Sequence, residues 1–376
     1  MTTQGMVRRF VAGFVAVAAL ALALVAGAGS ASAAGGYAGA VYTESNAASG
    51  NMVIIFHRAA DGTLTPGGMV ATGGRGTGAA LGSQGAVTLS EDGRLLFAVN
   101  AGSDDVSVFR VRPYGLTLVD RIYSEGMMPV SVAARWPFLY VLNAGGDGNI
   151  AGFRIGWNDH LLPIDGATQP LSQAGGTGAA QIAFVPDDNA LVVTEKATNR
   201  IDTYTLAGNG VAGPPMVHTS AGATPFGFDF GKRGTLVVSE AFGGTANASA
   251  LSSYRVSHDS FDVVTASAHT TQTAACWVAV TGNGKVAYTT NAGSDSISSY
   301  TIGNDGSLTL LAARAGETGA GSHPTDMALS RNSQYLYTLN AATHTLSGFQ
   351  VAADGGLTPV ALMPGMPAAS VGLVAR

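Results

Sequence analysis

The chain has 376 residues, of which only 11% are charged, and its net charge is −5 at pH 7. Because it has no basic excess, it lacks the electrostatic basis for nucleic-acid binding, and no nucleic-acid partner is expected. Its 52 glycines are about twice the usual share of ~7%, which indicates short strands joined by tight turns.

The first 33 residues have the pattern of a secretory signal peptide. A basic pair at positions 8–9 precedes an apolar stretch over 10–26, and an Ala-Ser-Ala motif follows at 31–33. We therefore expect cleavage after this motif, a mature domain over 34–376, and a secreted, periplasmic or cell-envelope location. No membrane attachment is expected once the signal is removed. A retained membrane anchor is the alternative.

The next feature along the chain is a repeat. The segment 100–109 recurs almost unchanged at 291–300, and weaker copies begin at Asn143 and Asn340. In each copy an apolar run precedes the repeated loop, and a segment with alternating apolar residues follows it, which predicts two strands. Asp-Gly or Asn-Gly dipeptides, as at 305–306, then predict hairpin turns. Self-similarity at this period indicates an array of one small β unit.

The apolar runs end at seven anchor positions, each occupied by Asn or Glu: Glu44, Asn100, Asn143, Glu195, Glu240, Asn291 and Asn340. Four strands per ~40–50 residues are typical of a β-propeller blade. Residues 37–44 lack an inner strand and residues 369–375 lack a partner, so the two segments are expected to pair. The predicted fold is an all-β, seven-bladed propeller of four-stranded blades, closed by both termini. An open sandwich or two separate β domains is the alternative.

Cysteine usage limits the possible chemistry. Cys276 is the only cysteine, which excludes an internal disulfide and any zinc site built on several cysteines. No histidine is near it in sequence, so a small buried thiol is expected rather than a nucleophile. The chain also lacks a complete calcium loop and a phosphate-binding loop, so no metal or cofactor is expected.

Three of the anchors are glutamates, and these are the candidate catalytic residues. The anchors and the crossings into the inner strands are expected on one face, so the anchors should ring the mouth of the central channel. An Asn there can satisfy backbone groups at the strand end. Crowded carboxylates at Glu44, Glu195 and Glu240 would instead raise a pKa, as a general acid or base requires. The alternative is that each Glu caps its own loop or pairs with a neighbour such as Lys196.

General acid or base catalysis works together with a donor that stabilises developing negative charge. Candidate donors and ligand-binding residues on the same rim are Arg75, Lys196, Gln84, Gln272 and His323. Trp277 begins an inner strand next to the channel, where it is expected either to stack on a sugar or to fill the core.

The chain resembles the lactonase-type seven-bladed propellers, which include bacterial 6-phosphogluconolactonase and the fungal carboxymuconate-lactonizing enzymes. The resemblance is carried by the repeated unit at 100 and 291 and by the blocks 238–244, 272–277 and 324–330. The three blocks are similar to an exported, carboxymuconate-cyclase-like bacterial branch. The resemblance implies a propeller that acts on, or binds, a small lactone.

Two functions follow from these observations. The first is an exported hydrolase or isomerase of a small lactone or carboxylated ligand, with Glu195 and Glu240 as acid and base. The second is a non-catalytic extracellular or periplasmic propeller that binds a ligand or a protein on its loop-rich face. Export and the scarcity of Arg and Lys disfavour a phosphorylated substrate. A monomer is expected in either case.

Overall fold

Twenty-nine strands form seven antiparallel sheets, arranged as the blades of a propeller around a central channel. The computed structural model describes residues 36–376, within which Tyr37–Arg376 form one compact unit. The predicted signal segment, residues 1–33, lies outside the described residues. The seven-bladed all-β fold predicted from the repeats is confirmed.

The strands follow one another blade by blade. Blade 1 contains β1 (Gly39–Glu44), β2 (Met52–Arg58) and β3 (Leu64–Ala71). Blade 2 contains β4 (Val87–Leu89), β5 (Leu95–Asn100), β6 (Asp105–Arg112) and β7 (Gly115–Tyr123). Blade 3 contains β8 (Met127–Arg135), β9 (Phe138–Gly145), β10 (Asn149–Ile155) and two short outer strands, β11 (Leu161–Pro163) and β12 (Gln169–Pro170). Blade 4 contains β13 (Ala179–Phe184), β14 (Ala190–Glu195), β15 (Arg200–Thr205) and β16 (Met216–Thr219).

The remaining strands repeat the same order. Blade 5 contains β17 (Pro225–Phe230), β18 (Thr235–Glu240), β19 (Ala250–Val256) and β20 (Phe261–His269). Blade 6 contains β21 (Ala275–Val280), β22 (Val286–Asn291), β23 (Ser296–Ile302) and β24 (Leu308–Glu317). Blade 7 contains β25 (Pro324–Leu329), β26 (Tyr335–Asn340), β27 (Thr345–Val351) and β28 (Leu357–Pro364). The last strand, β29 (Val371–Ala375), returns to blade 1.

Ring closure comes from the two ends of the described chain. β29 pairs antiparallel with β1, with Val371 opposite Glu44, and so becomes the inner strand of blade 1. The guanidinium of Arg58 donates to the carbonyl of Arg376 at 3.1 Å. This pairing covers the backbone edge that β1 would otherwise expose, and it confirms the predicted closure.

Repeated tyrosines join neighbouring blades. The hydroxyls of Tyr288 and Tyr337 donate to the carbonyls of Gly355, at 3.0 Å, and Gly62, at 2.8 Å. Both glycines belong to predicted Asp-Gly turns, and both have positive φ, at 84°. A Cβ on Gly62 would lie 2.3 Å from the ring of Tyr335. The turn motif therefore serves inter-blade packing as well as the hairpin itself.

Helical structure is minimal. Within residues 36–376 the only helical element is a single 3-10 turn, Phe242–Gly244. Among these residues no helix has the length and apolar character needed to span a membrane.

Candidate functional site

The seven anchors share one place in the fold. Each lies at or within two residues of the end of the second strand of its blade. Six of the seven pair with a residue near the start of the inner strand, as Asn291 pairs with Ala275. We call this side of the ring the anchor end of the channel, and the side where the inner strands finish the far end.

The three anchor glutamates do not line the channel mouth. Glu44, Glu195 and Glu240 are all 0% exposed. Glu240 accepts hydrogen bonds from the hydroxyls of Ser252 and, at 2.6 Å, Ser267. Burial raises its pKa, and it raises the pKa of Glu44 well above the usual range. The expectation that these carboxylates ring the channel mouth is corrected, because each side chain is buried and accepts hydrogen bonds from nearby residues, as Glu44 does from Asn51 at 2.8 Å. Their catalytic roles stay predictions.

Glu195 lies beside a second carboxyl group of its own blade, that of Asp202. It accepts hydrogen bonds from the backbone N–H of Ser172, at 2.9 Å, and from the hydroxyls of Ser172 and Thr198. Asp202 lies within hydrogen-bonding reach of it, and burial followed by the neighbouring Glu195 raises the pKa of Asp202 to about 8. Neither oxygen of Asp202 accepts a well-formed bond from a donor among the described residues. Asp202 is therefore protonated at neutral pH, beside Glu195.

The repeat explains where this pair comes from. In blade 6 the anchor Asn291 donates through Nδ2 to the hydroxyl of Ser298, seven residues later, at 2.9 Å. Asn100 and Asn340 bond Ser107 and Ser347 in the same way, both at 2.8 Å. In blade 4 this serine position is occupied by Asp202. An ordinary Asn–Ser cap is thus replaced by an acid pair.

Three of the predicted ligand-binding residues lie outside the strands. Arg75, Gln272 and His323 lie in the connections that lead into blades 2, 6 and 7. Arg75 and His323 are exposed, and the side-chain oxygen of Gln272 accepts a bond from Arg314 at 2.9 Å. No hydrogen bond among the described residues joins the three side chains. Their binding roles stay predictions.

Gln84, Lys196 and Trp277 do come together, around a segment of the chain rather than an open site. Residues 79–86, which we name the channel plug, lead into the short inner strand β4. The hydroxyl of Ser83 donates to the carbonyl of Val130 in blade 3 at 2.8 Å. The backbone N–H of Gln84 donates to the carbonyl of Ala180 in blade 4 at 3.0 Å. The plug therefore crosses the channel at the anchor end.

On the opposite side the plug is held by blade 6. The amide of Gln84 donates to the carbonyl of Val278 at 2.7 Å and accepts from its N–H at 3.0 Å, pairing with the strand edge as another strand would. The indole N–H of Trp277 donates to the carbonyl of Ser83 at 2.9 Å. Trp277 is 5% exposed, so it is a core residue, and its use as a sugar-stacking platform is set aside.

Lys196, in blade 4, also contacts the channel plug. Its ammonium group donates to the carbonyl of Gly82 and lies 4.6 Å from the centre of the Phe226 ring. Burial lowers the pKa of Lys196 to about 8. Burial also raises the pKa of the nearby Cys276 thiol to about 12, which keeps the thiol neutral and unreactive.

The open space lies at the far end of the channel. A cavity of about 830 Å³, which we name the channel cavity, opens among the finishing ends of the inner strands of blades 2 to 5. This volume is within the usual range for a small-molecule site. Its polar lining residues are Thr88, Glu91, Arg135, Gln181, Asp187, Asp188 and Asp229.

Asp229 is a partly buried titratable group in this cavity's wall. Its two oxygens accept hydrogen bonds from the backbone N–H groups of Phe230 and Val280, both at 2.7 Å, which fix the carboxyl between blades 5 and 6. Burial raises its pKa to about 6, and the two N–H bonds oppose this rise. The group is therefore mostly ionised at neutral pH, with a proton affinity suited to a general base.

Arg135 supplies a cation to the same cavity. It stacks 4.5 Å from the centre of the Phe184 ring and donates through Nη1 to the carbonyls of Val185, at 3.2 Å, and Asp188. Burial lowers its pKa, and nearby carboxylates, including Glu91, oppose this effect. Arginine stays protonated throughout the neutral range, so the cavity contains a fixed positive charge as well as a base.

Sequence reasoning missed Asp229, although a signal was present. Strand pairing places one inner-strand position of every blade opposite the residue three before the anchor. That position is Ala in five blades, Thr88 in blade 2 and Asp229 in blade 5. Both exceptions line the channel cavity. Within residues 36–376 no group of three His, Cys, Asp or Glu side chains is placed to hold a metal.

Comparison with known proteins supports the family and the fold. The family model described as lactonase, 7-bladed beta-propeller, matches residues 48–162 and 181–371. No curated protein matches the chain. The periplasmic gluconolactonase PpgL of Pseudomonas aeruginosa is 14% identical, with a TM-score of 0.68 over 89% of this chain and 98% of its own. A protein from Lactobacillus plantarum is 16% identical, with a TM-score of 0.72 over 90% of this chain and 99% of its own.

A third solved structure gives the same picture. A candidate 6-phosphogluconolactonase from Bacteroides fragilis is 18% identical, with a TM-score of 0.68 over 90% of this chain and 98% of its own. At these identities the structures share the fold alone, whereas the family model covers most of the sequence. The chain belongs to the lactonase family of seven-bladed β-propellers.

Proposed function

We propose that the protein hydrolyses a small lactone in the channel cavity, at the far end of the propeller. The observation that carries the proposal is the placement of Asp229 and Arg135 in one cavity of about 830 Å³. The carboxylate of Asp229 takes a proton from a water molecule, whose oxygen adds to the lactone carbonyl carbon. Arg135 stabilises the oxyanion that forms. The carbonyl then re-forms, the ring C–O bond breaks, and the ring oxygen takes the proton from Asp229, which regenerates the carboxylate and gives a hydroxy acid.

The charged residues that line the channel cavity limit the class of substrate that it can bind. Glu91, Asp187 and Asp188 place three further carboxylates around the single guanidinium of Arg135. A phosphorylated substrate would be repelled by this arrangement, because like charges in a partly desolvated site cost several kcal/mol. We therefore propose an uncharged lactone, and the acidic rim would favour release of the anionic product.

Replacing Asp229 by Asn is expected to lower the kcat of lactone opening by about 10²–10⁴-fold, the range for loss of a general base. A panel of unphosphorylated lactones is assayed for ring opening and isomerisation, with the spontaneous rate subtracted. Glu195→Gln and Glu240→Gln, at the anchor end, are the controls, and each variant's melting temperature is measured. Full turnover in Asp229→Asn, or turnover lost only in folded Glu variants, would contradict the assignment.

The pH dependence of the wild-type activity provides an independent test of Asp229. Only ionised Asp229 can act as a base, so kcat/KM should rise with pH through about pH 6, where the carboxyl titrates. A flat profile from pH 5 to pH 7 would remove Asp229 from the mechanism even if the Asn variant failed to fold.

A non-catalytic propeller that binds its ligand in the same cavity is the second candidate. The observation that favours it is that both oxygens of Asp229 already accept backbone N–H groups. Lactone binding to the wild-type protein by calorimetry, without turnover of any lactone in the panel, would select this function.

Export is part of the proposal. It is supported by the signal-like pattern of residues 1–33 and is in keeping with the periplasmic relative PpgL. We expect the mature protein outside the cytoplasm, with an N-terminus close to residue 34. N-terminal sequencing of protein recovered from cell fractions tests this. An intact N-terminus in the membrane fraction would instead indicate a retained anchor.

We also propose that the protein acts as a monomer. The ring is closed by its own terminal strands, so no blade needs a strand from a second chain. The sedimentation coefficient of the mature protein tests this proposal.

A further inference from the structure

Two tryptophans of blade 3 lie exposed beside each other. Trp136 is 53% exposed and Trp157 is 97% exposed, whereas the third tryptophan of the chain, Trp277, is buried. The rings of Trp136 and Trp157 are 6.3 Å apart between centroids and 68° apart in plane, an edge-to-face arrangement. This geometry leaves one face of each indole available to a ligand.

The turn that carries Trp157 is held in place by blade 2. Arg110 forms an ion pair with Asp159 and donates to the carbonyl of Asn158 at 2.9 Å. On the other side of the turn, His160 lies 3.3 Å from Asp120. Contacts from a neighbouring blade therefore flank a side chain that has almost no burial of its own. Ordering an indole in solvent has no packing benefit, which points to a role in binding.

A pocket of about 250 Å³ adjoins Trp136. Its apolar surface comes from Trp136, Leu95, Ala134 and Ile155. Its polar groups come from the turn between β4 and β5, where Glu91, Asp92 and Arg94 lie. Glu91 and Ala134 also line the channel cavity, so the two spaces are neighbours.

We propose that the Trp136 pocket is a saccharide subsite that takes one pyranose ring. The C–H groups on one face of a pyranose match the negative face of an indole. The hydroxyls around its rim match carboxylate acceptors and a guanidinium donor, which form the stronger, charge-assisted hydrogen bonds. Trp136 is the stacking platform, and Trp157 extends it toward solvent.

This subsite also refines the proposed function, on which this step rests. Because the subsite adjoins the channel cavity, the substrate is a sugar lactone that carries a second sugar. The lactone ring occupies the cavity with Asp229 and Arg135, and the second pyranose lies on Trp136. The subsite contributes binding, and no bond is made or broken in it.

Binding is tested without catalysis, by titrating the wild-type protein with maltotriose, cellotriose and triacetylchitotriose. At least one trisaccharide should shift the tryptophan fluorescence. Trp136→Ala should weaken its binding about five- to tenfold or more, the scale of one aromatic contact. Tyr114→Ala is the control, because Tyr114 is also an exposed aromatic residue, at 72%. No binding of any trisaccharide, or equal binding by Trp136→Ala in calorimetry, would overturn the subsite.

Kinetics separate this proposal from the lactonase proposal. With cellobionolactone, Trp136→Ala should raise KM and leave kcat unchanged, whereas with gluconolactone both constants should stay unchanged. An equal loss with both lactones would overturn the two-sugar substrate. If neither lactone is opened by the wild-type protein, the lactonase proposal fails while trisaccharide binding still decides the subsite. A dimer in sedimentation that Trp157→Ala dissociates would make the tryptophans a self-association surface and overturn the proposal.

Discussion

Replacing Trp277 by Ala lowers the free energy of unfolding by about 3–5 kcal/mol, the usual cost of deleting a buried aromatic side chain. The indole is 5% exposed and packs against the ring of Phe226, 4.9 Å away between centroids. It also donates the hydrogen bond that holds Ser83 of the channel plug. Urea unfolding measures the loss. The control is Trp157→Ala, the same change at a 97% exposed position, which should stay within about 0.5 kcal/mol.

The Trp277→Phe variant separates the packing of the ring from the hydrogen bond that the indole donates to the plug. Phenylalanine retains much of the ring contact but removes the N–H, which leaves the carbonyl of Ser83 unpaired at a cost of about 1–3 kcal/mol. Backbone hydrogen exchange in residues 79–86 should accelerate in this variant, while exchange in blades 1 and 2 stays unchanged. If the plug exchanges at the wild-type rate, the indole hydrogen bond does not hold it.

Replacing Asp202 by Asn makes the protein more stable than wild type at pH 8, by about 1–3 kcal/mol, and the difference shrinks toward pH 4. The folded pKa of Asp202 is raised to about 8 from an ordinary value of 3.8. Between these limits folded Asp202 holds a proton that the unfolded chain has lost, so wild-type stability falls as pH rises. The Asn side chain does not titrate, so it removes this dependence.

Chemical unfolding at pH 4, 6 and 8 measures the effect. Asp262→Asn is the matched control, because Asp262 is an exposed carboxylate on β20 and its loss leaves the buried pair intact. An Asp202→Asn variant that is less stable than wild type at pH 8 would show that folded Asp202 is ionised there.

The repeat pattern in the sequence indicates the candidate site, but at a different position from the one that the sequence analysis selected. A break in the repeat marks chemistry, but the informative break was at the inner-strand position where five blades have Ala and blade 5 has Asp229. The Asn-to-Glu changes at the anchors were more visible in sequence. They produce buried carboxylates instead, because a side chain near the end of a second strand is covered by nearby polar residues, as Glu240 is by Ser252.

The sequence by itself determined the repeat, the number of blades and the closure of the ring by β1 and β29, since these follow from local strand and turn patterns. It also placed Trp277 next to the channel. Only the tertiary structure decided which end of the channel is open. The plug at 79–86 fills the anchor end through contacts with Val130, Ala180 and Val278, which are far away in sequence. The repeat pattern predicts the strands and turns that every blade has in common. The plug is not part of the repeat, so its position is set by contacts with distant blades.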